Sequence, residues 1–179
     1  MPYRYGRDWH GVLRKPIQEI TEAQARKRFD AGPSFSVSKV STVDAKVVPE
    51  FTLQVNPDGF YLGAAFYDEF GSEVRAYHFA EQPERPEELF LTGVTVRVYP
   101  DGQDRWLDLH QAAAHTTFTF RPNGWARSRL VVQGQDEARV QEFTGVDVSA
   151  HWVDRPEFGD WDRFGVPREP ALQDDAPAG

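Results

Sequence analysis

The sequence predicts a mainly β (α+β) fold: an antiparallel meander of roughly nine strands, curled into a bent sheet or partial barrel, with one N-terminal helix. Three observations predict it. Pro-Asx-Gly recurs at "NPDGF" (56–60), "YPDGQ" (99–103) and "RPNGW" (121–125). Apolar and polar residues alternate with period two on either side of these turns. Only one stretch has the start and stop signals of a helix.

In chain order, the helix comes first. Thr21 is a plausible N-cap for residues 21–31, "TEAQARKRFDA", with Glu22 in the first turn and Gly32-Pro33 as the stop. Strands follow. Phe60, Leu62, Ala64 and Phe66 share one face, and Tyr61, Gly63, Ala65 and Tyr67 the other. Val94, Val96 and Val98 oppose Thr95, Arg97 and Tyr99. Phe118 and Phe120 oppose Thr117, Thr119 and Arg121, and residues 125–133 alternate in the same way. Val146, Val148, Ala150 and Trp152 form a further strand pattern. In each Pro-Asx-Gly, proline sets φ for the first central position and glycine supplies φ > 0, so each reads as a short hairpin loop. These reversals span Asn56–Gly59, Tyr99–Gly102 and Arg121–Gly124, with further loops at 69–72, 81–88 and 133–137. Residues 108–114 could add one or two helical turns. Residues 1–166 form one domain on this reading, and 167–179 a disordered, acidic, proline-rich tail.

Composition narrows the function. The 179 residues carry 20 basic and 28 acidic side chains, a formal charge of −8. That charge serves solubility, repels phosphate backbones and favours a basic partner, so nucleic acid is not expected as one. The chain has no cysteine, which excludes disulfides, thiolate nucleophiles and cysteine-based zinc sites. The basic, aromatic start has no apolar signal region and no run is long enough to span a membrane, so a cytoplasmic location is expected.

Catalytic and metal motifs are weak. The five histidines have neither HxxxH nor HxH spacing, and no GxSxG, P-loop or GxGxxG is present. No catalytic residue, metal or cofactor is therefore assigned. His78 shares its side of a strand with Val74 and Ala76 and reads as a satisfied core residue before a base. Asp101-Gly102-Gln103-Asp104 resembles half a calcium loop, but the remaining ligands are missing and a turn is expected. Arg97, Arg121, Arg127 and Arg129 lie opposite the apolar sets of their strands. They could form a basic stripe or pair with Glu137, Glu142 or Asp147.

The most distinctive segment is "HWVDRPEFGDWDRFG" (151–165). Its aromatics could fold back to plug the sheet. Alternatively, Trp152, Phe158 and Trp161 could anchor a partner while Asp154, Glu157, Asp160 and Asp162 steer a basic one. The run Trp152 to Asp162 resembles the C-terminal part of small immunity-type proteins encoded beside bacterial polymorphic toxins. That resemblance implies a non-enzymatic module that neutralises a cognate toxin domain by direct binding. A different reading is a small-molecule-binding β-barrel, a carrier or a cyclase-like enzyme, with Tyr61, Tyr67, His78, Arg97 and Tyr99 lining its pocket. A plain structural or accessory protein is the third.

Overall fold

A computed structural model describes residues 3–43 and 46–168. The expected tail lies, from residue 169 on, outside the described residues. Twelve strands occur among those described: β1 (Tyr3–Gly6), β2 (Asp8–His10), β3 (Lys15–Ile17), β4 (Phe35–Val43), β5 (Lys46–Asn56), β6 (Tyr61–Tyr67), β7 (Glu73–Gln82), β8 (Arg85–Val98), β9 (Ala114–Phe120), β10 (Ala126–Val132), β11 (Arg139–Phe143) and β12 (Trp152–Asp154). One helix, α1 (Glu22–Ala31), separates β3 from β4.

The main sheet is antiparallel, in the order β1-β4-β5-β6-β7-β8-β9-β10-β11. From β4 to β11 each strand pairs with the next in sequence, the signature of a meander. The edges β1 and β11 do not meet, so the sheet is bent but not closed into a barrel. β12 returns from the far end to pair with β8, Trp152 facing Phe90. It occupies the stretch of β8 preceding Gly93, where β9 begins to pair. β2 and β3 form a separate two-stranded hairpin.

The turn glycines adopt the backbone their spacing demands: Gly59, Gly102 and Gly124 have φ of +66°, +76° and +78°. Two of the three turns close hairpins, β5–β6 and β9–β10. The third does not. After Gly102 the chain leaves the sheet in a long loop and re-enters only at Ala114. Asp108 and Gln111 form a capping box there, but around a single 3-10 turn, Leu109–Gln111, so the helical option at 108–114 shrinks to that. The expected loop at 81–88 is also corrected. β7 and β8 run through it and leave only residues 83–84 as a turn. Pro86 is accommodated where the register jumps from Gln82–Arg85 to Glu81–Leu89, so its missing N–H costs no ladder bond. Residues 146–153, expected as one strand, instead make a 3-10 turn at Ser149–His151 before β12.

Helix α1 begins as expected. The Thr21 hydroxyl accepts from the Gln24 amide at 3.2 Å, and the Gln24 side chain accepts from the Thr21 amide at 2.8 Å. This reciprocal cap satisfies two helix-end donors. The helix buries Ala25 and sets Phe29 against Phe60, Phe158 and Trp161, with ring centroids 5.7–5.9 Å apart.

Alternation divides the sheet into two faces. One carries the core: Phe35 and Val37 on β4, Phe51, Leu53 and Val55 on β5, Leu62 and Phe66 on β6, Tyr77 and Phe79 on β7, and Val94 on β8. α1 and residues 155–168 cover it. Trp161 and Phe164 from that C-terminal strap are fully buried, and Phe164 packs edge-on against Phe79 at 5.4 Å. The strap ends pinned: the Tyr77 hydroxyl donates to the Arg168 carbonyl and accepts from the Arg168 amide, both at 2.6 Å. The opposite face is polar, and there the candidate site lies.

Candidate functional site

On the polar face, β6 and β7 present small residues at their centres: Gly63, Ala65 and Ala76. Larger side chains surround them, so a depression of about 410 Å³ remains. Thr52 and Gln54 border it from β5, Tyr61 and Tyr67 from β6, Glu73 and His78 from β7, and Arg97 from β8. Arg7 and Asp8, leading into the β2–β3 hairpin, complete the rim.

Two pairs organise the depression. The first joins Tyr61 and His78. These residues sit diagonally on adjacent strands, since Gly63 is the register partner of His78. The Tyr61 hydroxyl and His78 Nδ1 are 2.5 Å apart and the rings are nearly parallel. Burial, with Arg97 nearby as the lesser cause, holds the His78 pKa below the usual imidazole value. Burial raises that of Tyr61. Both are neutral near pH 7 and share one proton between them. If Tyr61 donates, His78 keeps a proton on Nε2 and is a donor. If His78 donates, Nε2 is an acceptor and the tyrosine O–H is free to donate. The pair can therefore answer either a carbonyl or a hydroxyl on a bound molecule.

The second pair is ionic. Arg97 Nη1 lies 2.5 Å from Glu73 Oε1, both largely buried. Burial raises the Glu73 carboxyl pKa, and Arg97 pulls it back. A β-bulge creates this contact. Phe66 pairs with Arg75 and Tyr67 with Glu73, so Val74 is the extra residue that brings Glu73 opposite Tyr67. A second bulge, at Thr92, lies opposite His78 and Phe79, where the Thr92 hydroxyl donates to the His78 carbonyl at 3.0 Å.

Four of the five residues expected to line a pocket, Tyr61, Tyr67, His78 and Arg97, thus surround one depression. Tyr99 does not line it. Its hydroxyl instead donates to the Glu73 carbonyl at 3.1 Å, and burial pushes its pKa up to about 12. Glu73, Arg7 and Asp8 escaped sequence reasoning. Strict alternation puts Glu73 on the wrong face, and nothing in the sequence brings residues 7–8 beside β7.

The arginine stripe is only partly assembled. Arg97, Arg127 and Arg129 fall on the polar face, and His115 between them is held below the usual imidazole pKa, first by burial and then by Arg97 and Arg129. Arg127 faces Glu142 across β10–β11. Arg121 lies past the end of β9 and stacks on Trp125, 4.3 Å from the ring centroid, so it leaves the stripe. The Asp147 carboxylate caps the Ser149 amide at 2.9 Å.

In the aromatic-acidic stretch 151–165 the aromatics fold back on the sheet at Trp161 and Phe164, and the anchor reading is corrected at Trp161. Trp161 is 0% exposed and cannot anchor a partner. Trp152 packs on Phe90 at 4.9 Å and carries the Arg85 guanidinium over its ring at 4.6 Å. Phe158 is packed against Tyr5 and Phe29 with Arg26 stacked 4.3 Å from its ring centroid. Trp161 and Phe164 are committed inside the molecule, where the strap roofs the core, whereas Trp152 and Phe158 are half-buried. The acids point outward but mostly meet internal cations: Asp154 and Asp160 approach Arg163, and Asp162 holds Lys39 at 3.1 Å. Hydrogen bonds from Tyr3 and then Lys39 hold the Asp162 carboxyl below its usual pKa. Glu157 is exposed.

Comparison of the chain with protein-family models, curated proteins and solved structures finds no match.

Proposed function

We propose that this chain is a small-molecule-binding module whose ligand sits in the depression on the polar sheet face. One observation carries the reading: Tyr61, Tyr67, His78 and Arg97 converge around a floor of glycine and alanine that leaves room for a ligand. The ligand is neutral and polar, because the formal charges around the depression cancel: Arg7 and Arg97 against Asp8 and Glu73, with His78 uncharged. The Tyr61–His78 pair supplies a donor and an acceptor for it, and the tyrosine rings supply apolar contact. Binding, rather than turnover, is what two neutral hydrogen-bonding groups and a closed ion pair do most directly.

The test is a nuclear magnetic resonance screen of neutral amides, alcohols and ketones against the purified chain. Binders should perturb Tyr61 and His78, and His78→Ala should weaken them about tenfold, the cost of one or two hydrogen bonds. A panel in which nothing binds the depression would remove this reading.

A toxin-neutralising immunity role has one feature in support: Asp154 and Asp162 stay largely exposed, at 83% and 66%, on a chain of net charge −8. If that role is correct, Asp154→Asn with Asp162→Asn slows association with a basic toxin domain and leaves small-molecule binding intact.

A further inference from the structure

The depression has a neighbour. Beyond Tyr67 a second cleft of about 270 Å³ runs under the β2–β3 hairpin. Asp8, Tyr67 and Glu73 line both spaces, so the two share one wall. Their chemistry differs. The first is built around the Tyr61–His78 and Glu73–Arg97 pairs. The second is flanked by Trp9, Trp106, Leu107 and Leu109.

The second cleft is held in shape by contacts made without any ligand. Gly11, just past β2, packs so closely on Trp106 that a Cβ there would sit 2.3 Å from the indole nitrogen. The loop carrying Trp106 is tied to the β6–β7 turn: Gln103 donates to Asp68 and to the Ser72 hydroxyl, both at 2.9 Å, and the Ser72 hydroxyl accepts from the Leu107 amide at 2.8 Å. Asp68 also accepts from the Phe70 and Ser72 amides, each at 2.9 Å. Ser72 is fully buried beneath this network. A wall fixed beforehand spends little of the binding energy on ordering itself. The loop that leaves the sheet after Gly102 places Trp106 at this cleft.

We propose that the two spaces take one ligand, a neutral molecule with an amide, ketone or hydroxyl head and a flat aromatic tail. The head lies between Tyr61, His78 and Arg97. The tail crosses the Tyr67 wall and packs beside Trp9 and Trp106. The inference rests on the small-molecule reading above and adds the class of ligand. Indole walls favour a planar ring through stacking and burial of apolar area.

Two probes test it: acetamide, a neutral head alone, and N-benzylacetamide, the same head with a phenyl ring added. By isothermal titration calorimetry the second should bind roughly tenfold tighter or better, as burial of one phenyl ring requires. Trp106→Leu should abolish that advantage and leave acetamide binding unchanged. Leu109→Gln changes an exposed residue without threatening the fold, and should reduce the advantage in the same direction. His78→Ala should weaken both probes. Equal affinities for the two probes in the native chain overturn the inference, as does a Trp106→Leu loss that falls equally on both. If neither probe binds while other neutral amides, alcohols or ketones do, the aromatic-tail assignment falls and the binding module stands. If no panel member binds either, both fall.

Discussion

Replacing Arg97 by methionine leaves the Glu73 carboxylate with no cation in a largely buried position. Removing one partner from a fully buried pair costs several kcal/mol. Here both groups keep some solvent contact, so a loss of about 2 kcal/mol is expected. The loss depends on pH in a definite direction. Burial already raises the Glu73 pKa, and deleting Arg97 raises it further. At pH 5 the lone carboxyl is increasingly protonated and its burial costs less. At pH 7.5 it is protonated less, and the loss is larger. Urea midpoints of the variant and the native chain at the two pH values give the comparison. An equal loss at both would mean that Arg97 acts through packing alone. Tyr61→Phe removes only a hydroxyl from a half-buried site, and should cost about 1 kcal/mol of stability while weakening ligands more than that.

The β2–β3 hairpin carries unusual backbone at both its tip and its exit. Arg14 and Gln18 have φ of +50° and +48°, where only glycine sits without strain. Gln18 is exposed, so Gln18→Gly isolates the backbone effect. A gain of about 0.5 kcal/mol is expected, the relief of strain less the entropy of a freer unfolded chain, and thermal unfolding measures it. The C-terminal strap is constrained in the opposite sense. A Cβ at Gly165 would lie 2.0 Å from the Phe51 ring, so Gly165→Ala should cost about 3 kcal/mol by forcing the strap off the sheet. A variant that keeps the native unfolding midpoint would show that Phe51 can yield. The same elements mark what was legible in the sequence. Thr21 and Gly32-Pro33 bracketed α1, and glycines 59 and 124 announced their hairpins, because caps and positive φ are local demands. Tyr61 and Tyr67 were legible on one face because period-two alternation carries them there; His78, first read as a core residue beside Val74 and Ala76, joins them on the polar face because its register partner is Gly63. Glu73 was not, because a single bulge residue reverses the alternation. β1 to β3 were not, because three- and four-residue strands such as "DWH" and "KPI" carry no period. The covering of the core by Trp161 was legible only as one of two readings, aromatics folding back on the sheet or anchoring a partner, because a strand edge and a strap look alike until the sheet beneath them is known.

As one body, the chain should lose stability on the acid side earlier than its carboxylates alone would dictate. His78 and His151 are both held below the ordinary imidazole value of 6.5, chiefly by burial. His151 lies against Phe90 and Phe120 at 4% exposure, with Nδ1 lacking a hydrogen-bond partner. The sign follows. As pH falls through 6.5 the unfolded chain takes up protons that the folded chain refuses, so stability is present above that value and declines below it. Carboxylates held low, such as Asp162 and Asp147, contribute a separate loss only below about pH 4. Chemical denaturation at pH 7.5 and 5.5 should show the first decline. His151→Leu, which fills the same apolar space without a titrating group, should flatten it. A native chain equally stable at both values would mean that these imidazoles protonate in place.

The strap at 155–168 also bears on how the chain is made. Strands β4 to β11 can zip neighbour to neighbour as they emerge from a ribosome, but the apolar side they generate is covered only in part, by α1, until Trp161 and Phe164 have been synthesised. Each growing chain therefore carries a wet, sticky flank until that strap follows. Trp161 and Phe164 act as a closing latch, so nascent copies on one message are the copies most exposed to sticking to each other.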